Sequence, residues 1–92
     1  MLISMIYLAS DHAGTVLRAS VAAHLADSGF AVCDLGPDSS EPVDYPDYGM
    51  KLAKALEGIA DARGIAVCGS GIGISIALNR FFWVRAALVG SV

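Results

Sequence analysis

The chain has 92 residues, of which 55% are hydrophobic and only 16% charged. This length predicts one small domain over residues 1–92, and this composition excludes an intrinsically disordered segment. The formal net charge of −3 argues against a protein that binds nucleic acid or an anionic membrane surface. So short a chain has little interior for so much apolar surface, which favours a homo-oligomer, a dimer or larger.

The cysteines and the N-terminus indicate the compartment. Cys33 and Cys68 both fall in apolar, strand-like runs. We therefore expect two free thiols in a reducing compartment rather than a disulfide framework. The N-terminus lacks the basic and apolar regions of a signal peptide, and no apolar run reaches the length of a transmembrane helix. These features predict a cytoplasmic protein that does not act at a membrane.

The first half of the chain alternates between strand and helix patterns. Leu2–Ala9 is an apolar, β-branched run that is typical of a buried strand. Residues 14–28 predict a helix that ends at Gly29, and Phe30–Leu35 predicts a second strand. The apolar face of this helix is predicted from three residues at helical spacing, Leu17, Val21 and Leu25.

The second half continues the alternation. Pro46 suits the first turn of a second helix, which Gly58 ends, and Gly64–Cys68 predicts a third strand. A third helix, Ile74 to about Arg80, is apolar on every side and is therefore expected to be buried. Arg85–Val89 predicts a fourth strand.

The order βαβαβαβ predicts the fold class. Short crossovers through helices require parallel strands and right-handed connections. We expect an open, parallel α/β sheet of about four strands in the order 2-1-3-4, Rossmann- or flavodoxin-like, with helices on both faces. Ligands bind such sheets at the carboxyl ends of the strands, so the residues that follow each strand are the candidate site.

The glycine-rich turn after the third strand is the first candidate. Cys68 ends the strand and Gly69–Gly73 leads into the helix, so backbone N–H groups and the helix dipole could hold an anion. The spacing fits neither the dinucleotide fingerprint nor the Walker loop, which argues against a nucleotide-binding module. A helix N-terminus favours a thiolate, so Cys68 could act as a nucleophile or a base. A tight structural turn with a buried structural cysteine is the alternative.

Other polar residues follow the first strand or flank the helices. Asp11 and His12 come directly after the first strand and could contact sugar hydroxyls or phosphate, although Asp11 or Ser10 could simply cap the first helix. Tyr45 precedes the second helix and could line a pocket or only pack. Asn79 ends the third helix, where structural capping is the default.

An aromatic trio, Phe81–Trp83, occupies a connection that is normally polar or rich in glycine. One interpretation is that these side chains pack beneath a loop. The other is that partner chains cover this apolar surface.

Several motifs, in this order and spacing, resemble the sugar-phosphate isomerase family of ribose-5-phosphate isomerase B and the galactose-6-phosphate isomerase subunits. They are Ser10–Gly14, Val43–Tyr48, Cys68–Ser75, Ala77–Arg80 and Val84–Ala87. The resemblance spans residues 3–89. It implies an intramolecular oxidoreductase of carbohydrate metabolism and the pentose phosphate pathway, which interconverts ribose 5-phosphate and ribulose 5-phosphate through an enediolate without metal or organic cofactor.

The resemblance also implies roles for individual residues. Cys68 matches the base that moves a proton between carbons 2 and 1, and Asp11, His12, Tyr45 and Asn79 match substrate-binding positions. The cradle for the enediolate oxygen is matched by Ser70, Gly69, Gly71, Ile72 and Gly73. Preorganised N–H donors stabilise an oxyanion of this kind.

Family members are longer, so we expect this chain to be a C-terminally shortened member without their last strand. The alternative to an isomerase is therefore a catalytically impaired, family-derived fragment that acts as a self-associating structural unit.

Overall fold

The computed structural model describes residues 5–37, 45–59, 61–68, 72–81, 83–84 and 86. Strands and helices alternate in these ranges. In chain order they are β1 (Met5–Ser10), α1 (Thr15–Asp27), β2 (Ala31–Asp34), α2 (Tyr45–Leu56), β3 (Arg63–Val67) and α3 (Ile72–Asn79). A short 3-10 helix, His12–Gly14, joins β1 to α1. Every predicted element within the described ranges is present, with ends that move by a few residues.

The described strands form one parallel sheet in the order β2-β1-β3. Leu8 of β1 lies opposite Asp34 of β2, and Ser10 of β1 lies opposite Val67 of β3. The carboxyl ends of all three strands therefore meet at one edge. This arrangement confirms the predicted open, Rossmann-like α/β sheet.

Helices cover both faces of the sheet. Successive side chains of β1 point to opposite faces, so each face can be identified from its contacts. Ala9 joins the buried cluster beneath α2 and α3, whereas Ser10 meets Arg18 of α1 on the other face. The buried cluster consists of Ala9, Leu52, Ala53, Ile74 and Leu78. The predicted layer order is thus confirmed around the central strand.

The predicted inner face of α1 is wrong at one position. Leu17 is 58% exposed, whereas Arg18 is only 3% exposed. Val21 and Leu25 are half-buried, as expected for the inner face. The buried face consists of Gly14, Arg18, Val21 and Leu25, which are also at helical spacing. Arg18 therefore takes the inner position that the pattern predicted for Leu17.

Two predictions for the last third need correction or lie outside the described residues. The expectation that α3 is buried on every side is wrong, because Ile76 is 59% exposed while Ile74 and Leu78 are buried. Helix α3 packs against α2 and β3 through one side, and its opposite side stays exposed. Of the fourth predicted strand, Arg85–Val89, the structure describes Ala86 alone, which is not in a strand.

The aromatic residues after α3 pack within the chain. Phe81 and Trp83 are partly buried against the core cluster, and their ring centroids are 5.1 Å apart. The indole Nε1 of Trp83 donates a hydrogen bond to the Ala53 carbonyl of α2 at 2.7 Å. These two rings agree with packing beneath a connection, and Phe82 lies outside the described residues.

Candidate active site at the carboxyl edge of the sheet

A polar turn follows β1. Its 3-10 helix begins after Asp11, whose Oδ1 accepts a hydrogen bond from the Gly14 amide at 3.0 Å. Asp11 therefore caps this turn, as the structural interpretation proposed. Ser10 does not share in the cap, because its Oγ accepts a hydrogen bond from Arg18. Asp11 is half-buried and His12 is exposed, so the turn presents both side chains at the sheet edge.

This turn is attached to the end of β3. The Asp11 amide donates to the Val67 carbonyl at 3.1 Å. A Cβ placed on Gly14 would lie 2.7 Å from both the carbonyl oxygen and Cγ1 of Val67. Only a glycine allows so close an approach. The Asp11–Gly14 turn therefore lies directly against the residue that precedes Cys68.

The end of β1, which leads into this turn, is also attached to the segment that follows β2. The Leu35 amide donates to the Leu8 carbonyl at 2.7 Å, and the Ser10 amide donates to the Gly36 carbonyl at 3.2 Å. The parallel pairing thus continues beyond the end of β2. As a result, the carboxyl ends of the three strands form one continuous hydrogen-bonded platform.

Cys68 is at the predicted place, directly after β3. It is half-buried, packs against the core cluster and is not in a disulfide. Helix α3 begins four residues later, at Ile72, so Ile72 and Gly73 form its first turn. The predicted cradle residues Gly69, Ser70 and Gly71 lie outside the described residues.

The two remaining predicted residues are at helix ends. Tyr45 is the first residue of α2. Asn79 is the last residue of α3, and its side chain pairs with the backbone of Ala86: Nδ2 donates to the carbonyl at 3.0 Å, and Oδ1 accepts from the amide at 2.8 Å. This pairing ties the segment after α3 to the helix end. It corresponds to the structural role that was the default interpretation.

Arg18 is a residue of this edge that the sequence analysis missed. Its Nη1 donates to Ser10 Oγ at 2.7 Å, and its Nη2 donates to the Pro37 carbonyl. Its Nε lies 2.9 Å from Asp34 Oδ1, an ion pair without the angle of a hydrogen bond. The available signal was a basic residue at helical spacing from Val21 and Leu25, on the face that packs on the sheet.

A groove of about 680 Å³ lies away from this edge. Arg63 and Gly64 line it at the amino end of β3, together with Leu56 of α2 and Trp83. It is mostly apolar and contains none of the predicted site residues. Within the described ranges, no three His, Cys, Asp or Glu side chains are grouped to hold a metal ion. Every helix in the same ranges is too short or too polar to span a bilayer.

Comparison with known proteins supports the fold. Ribose-5-phosphate isomerase B of Escherichia coli is 45% identical over 78 residues, which cover 85% of this chain and 52% of that protein. A probable ribose-5-phosphate isomerase B of Mycoplasma pneumoniae is 42% identical over 85 residues, which cover 91% of this chain and 56% of that protein.

Solved structures agree. Ribose-5-phosphate isomerase B from Mycoplasma genitalium, with bound ribulose-5-phosphate, has a TM-score of 0.89 at 37% identity and matches 96% of this chain and 60% of its own. The Clostridium thermocellum enzyme has a TM-score of 0.86 at 44% identity and matches 90% of this chain and 56% of its own.

The chain thus spans between 52% and 60% of the length of these relatives. The sequence pattern of the Ribose/Galactose Isomerase family matches residues 6–92, nearly the whole chain. The parallel sheet, the position of the cysteine after β3 and these matches lead to one assignment. The chain belongs to the Ribose/Galactose Isomerase family.

Proposed function

We propose that this chain interconverts ribose 5-phosphate and ribulose 5-phosphate, with Cys68 as the base. The observation that carries the proposal is the junction of the β1 and β3 ends, where the Asp11 amide donates to the carbonyl of Val67, the neighbour of Cys68. It supports the proposal because Cys68 directly follows a residue that is bonded to a polar turn, at the edge where parallel sheets bind ligands. The relative from Mycoplasma genitalium has ribulose-5-phosphate bound.

The reaction moves one proton between adjacent carbons. In the open-chain aldose, the Cys68 thiolate removes the proton from C2, and the electron pair of that bond forms the C1=C2 double bond while negative charge develops on O1. The thiol then returns the proton to C1, and the proton of the C2 hydroxyl passes to O1. The C2 oxygen becomes the ketone, and the thiolate is regenerated.

Charge on the enediolate oxygen requires nearby donors. We assign this role to the backbone N–H groups of residues 69–73, assisted by Ser70, because α3 begins at Ile72 and a helix N-terminus leaves N–H groups unpaired. Removal of one such donor typically costs about 10²- to 10³-fold in rate. One cradle donor would thus contribute to the rate on the same scale as a positioned base.

The remaining polar residues would bind the substrate. We propose that Asp11 contacts sugar hydroxyls through the carboxylate oxygen that does not cap the turn, and that exposed His12 contacts the phosphate. Tyr45 would form part of the pocket wall at the start of α2. Asn79 would contact the substrate from the end of α3, where its side-chain amide also bonds to the Ala86 backbone.

Replacement of Cys68 tests the base directly. In Cys68→Ala, conversion of ribose 5-phosphate should fall by about 10²- to 10⁴-fold, the usual contribution of a positioned acid or base. A coupled assay measures the turnover, and circular dichroism confirms that the fold remains. Exchange of the C2 hydrogen with deuterated water should be lost to the same extent, because the same group removes that proton.

The matched control is Cys33→Ala. Cys33 lies within β2 opposite Tyr7, before the strand reaches the carboxyl edge, and like Cys68 it is half-buried and not in a disulfide. This variant should keep the turnover of the wild type. Equal turnover in wild type and Cys68→Ala would remove Cys68 from the mechanism, and a wild-type chain without turnover would contradict the proposed function.

A second candidate is a self-associating structural unit without catalysis. It is favoured by the exposure of large apolar side chains, among them Val16 at 81% and Leu17 at 58%. Isolated apolar residues are common on surfaces, whereas a contiguous apolar patch indicates a contact between chains. An oligomer with no isomerase turnover would support this candidate over the enzyme.

A further inference from the structure

Arg18 is a buried cation that the proposed mechanism does not use. It lies on α1 and is 3% exposed. Arginine is almost never this buried unless its charge is paired. Arg18 is paired with Asp34, whose side chain is 38% exposed, and it also donates to two oxygens on other segments.

The contacts of Arg18 are on the two segments that leave the carboxyl edge of the sheet. Ser10 is the last residue of β1, and Asp34 is the last residue of β2. Pro37, whose carbonyl accepts from Nη2, belongs to the segment after β2. One guanidinium therefore joins α1 to the ends of both strands. Asp34 Oδ1 also accepts from the Gly36 amide at 2.9 Å, which ties the same segment a second time.

These two segments lead directly to predicted site residues. Ser10 is followed at once by Asp11 and His12, and Pro37 is followed by the connection to α2, which begins at Tyr45. We propose that Arg18 is a positioning residue of the isomerase site, an inference that rests on the proposed function. Arg18 does not touch substrate; it sets the place from which Asp11 and His12 extend.

The arrangement requires an arginine rather than any cation. A guanidinium presents donors in a fixed planar fork, so it can hold Ser10 Oγ, the Pro37 carbonyl and the Asp34 carboxylate at the same time. A lysine ammonium is a point charge on a flexible stem and cannot reach all three acceptors with the same geometry. Arg18→Lys should therefore preserve the charge but only part of the positioning.

Kinetic constants of purified variants test the proposal. Arg18→Met should lower kcat/KM for ribose 5-phosphate by about 10- to 100-fold, since displacement of a site by about 1 Å can cost that much. The kcat/KM of Arg18→Lys should lie between the values of Arg18→Met and the wild type. The matched control is Arg63→Met, which removes an exposed arginine at the amino end of β3 and should leave kcat and KM unchanged.

Hydrogen exchange separates positioning from general loss of stability and does not depend on turnover. In Arg18→Met, exchange should accelerate at the Ser10 and Gly14 amides, which bond to Gly36 and Asp11, while the amides of α2 keep their wild-type rates. If Arg18→Met does not fold, Ser10→Ala serves instead, because it removes one acceptor and should give a smaller change of the same kind.

The outcomes distinguish the two proposals. A wild-type chain without isomerase turnover contradicts the proposed function, and the exchange pattern alone then decides whether Arg18 holds the two segments. Kinetic constants of Arg18→Met equal to those of the wild type would overturn the positioning role. Equal acceleration of exchange in α2 and at Ser10 would overturn it as well, because Arg18 would then only stabilise the whole domain.

Discussion

Gly14 shows how a single missing side chain can hold two strand ends together. Its backbone angles, φ −94° and ψ 3°, are accessible to any residue, so conformation does not require glycine here. The requirement comes from space. An added Cβ would lie 2.9 Å from Val67 Cβ and closer still to the Val67 carbonyl oxygen. The backbone carbonyl belongs to the sheet and cannot move aside.

Gly14→Ala should therefore destabilise the domain. Overpacking of a close contact typically costs about 1–3 kcal/mol, and we expect a loss in that range in the free energy of unfolding. Urea denaturation followed by circular dichroism measures it. Isomerase turnover of the folded variant should also fall, because the turn that carries Asp11 and His12 would move away from Cys68.

Ala13→Ser is the control for this prediction. It also adds one heavy atom, but to the exposed neighbour in the same turn, so its effect on stability should stay within about 0.5 kcal/mol. The double variant Gly14→Ala with Val67→Ala should not regain stability. The backbone carbonyl oxygen of residue 67 is kept in that variant, and it lies 2.7 Å from the added Cβ. A stable Gly14→Ala variant would show that the turn can shift without loss.

At the scale of elements, Trp83 links the end of α2 to the segment after α3. Its Nε1 donates to the Ala53 carbonyl in the last turn of α2, where helical carbonyls run short of backbone donors. The ring packs on the core cluster beside Phe81. The indole therefore combines an apolar body with one donor at its edge, as buried tryptophan usually does.

Trp83→Phe should cost about 0.5–1.5 kcal/mol of unfolding free energy, the typical net contribution of one hydrogen bond, because the ring remains but the donor is lost. Trp83→Leu should cost more, since the ring contacts are lost too. Urea denaturation followed by circular dichroism compares the three proteins. If Trp83→Phe is as stable as the wild type, the bond to Ala53 contributes nothing and only the packing of the ring matters.

Local sequence patterns predict the three strands but not the buried face of α1. β1, β2 and β3 were predictable because buried parallel strands are short apolar runs between turn residues. The buried face of α1 was not predictable, because Leu17 and Arg18 are neighbours. Both fit a helical repeat with Val21 and Leu25. The choice between them depends on the polar acceptors at the ends of β1 and β2, which no local pattern contains.

For the whole molecule, the balance of apolar surface predicts association. The exposed large apolar side chains include Val16, Leu17, Phe30, Met50, Ile59 and Ile76. We expect sedimentation equilibrium to give the mass of a dimer or larger assembly at micromolar concentration, since burial of such residues between chains is favourable. A stable monomer at all accessible concentrations would contradict both the expected oligomer and the structural-unit alternative.

Local patterns in the sequence predict the order of the elements, the parallel sheet and the position of Cys68 after the third strand. These follow from local periodicity and from the rule that short helical crossovers force parallel pairing. The folded chain is needed to see that Gly14 lies against Val67 and that Arg18 is buried between Ser10 and Asp34. Both depend on contacts between segments distant in sequence, whose strength comes from excluded space and paired charge rather than from any local preference.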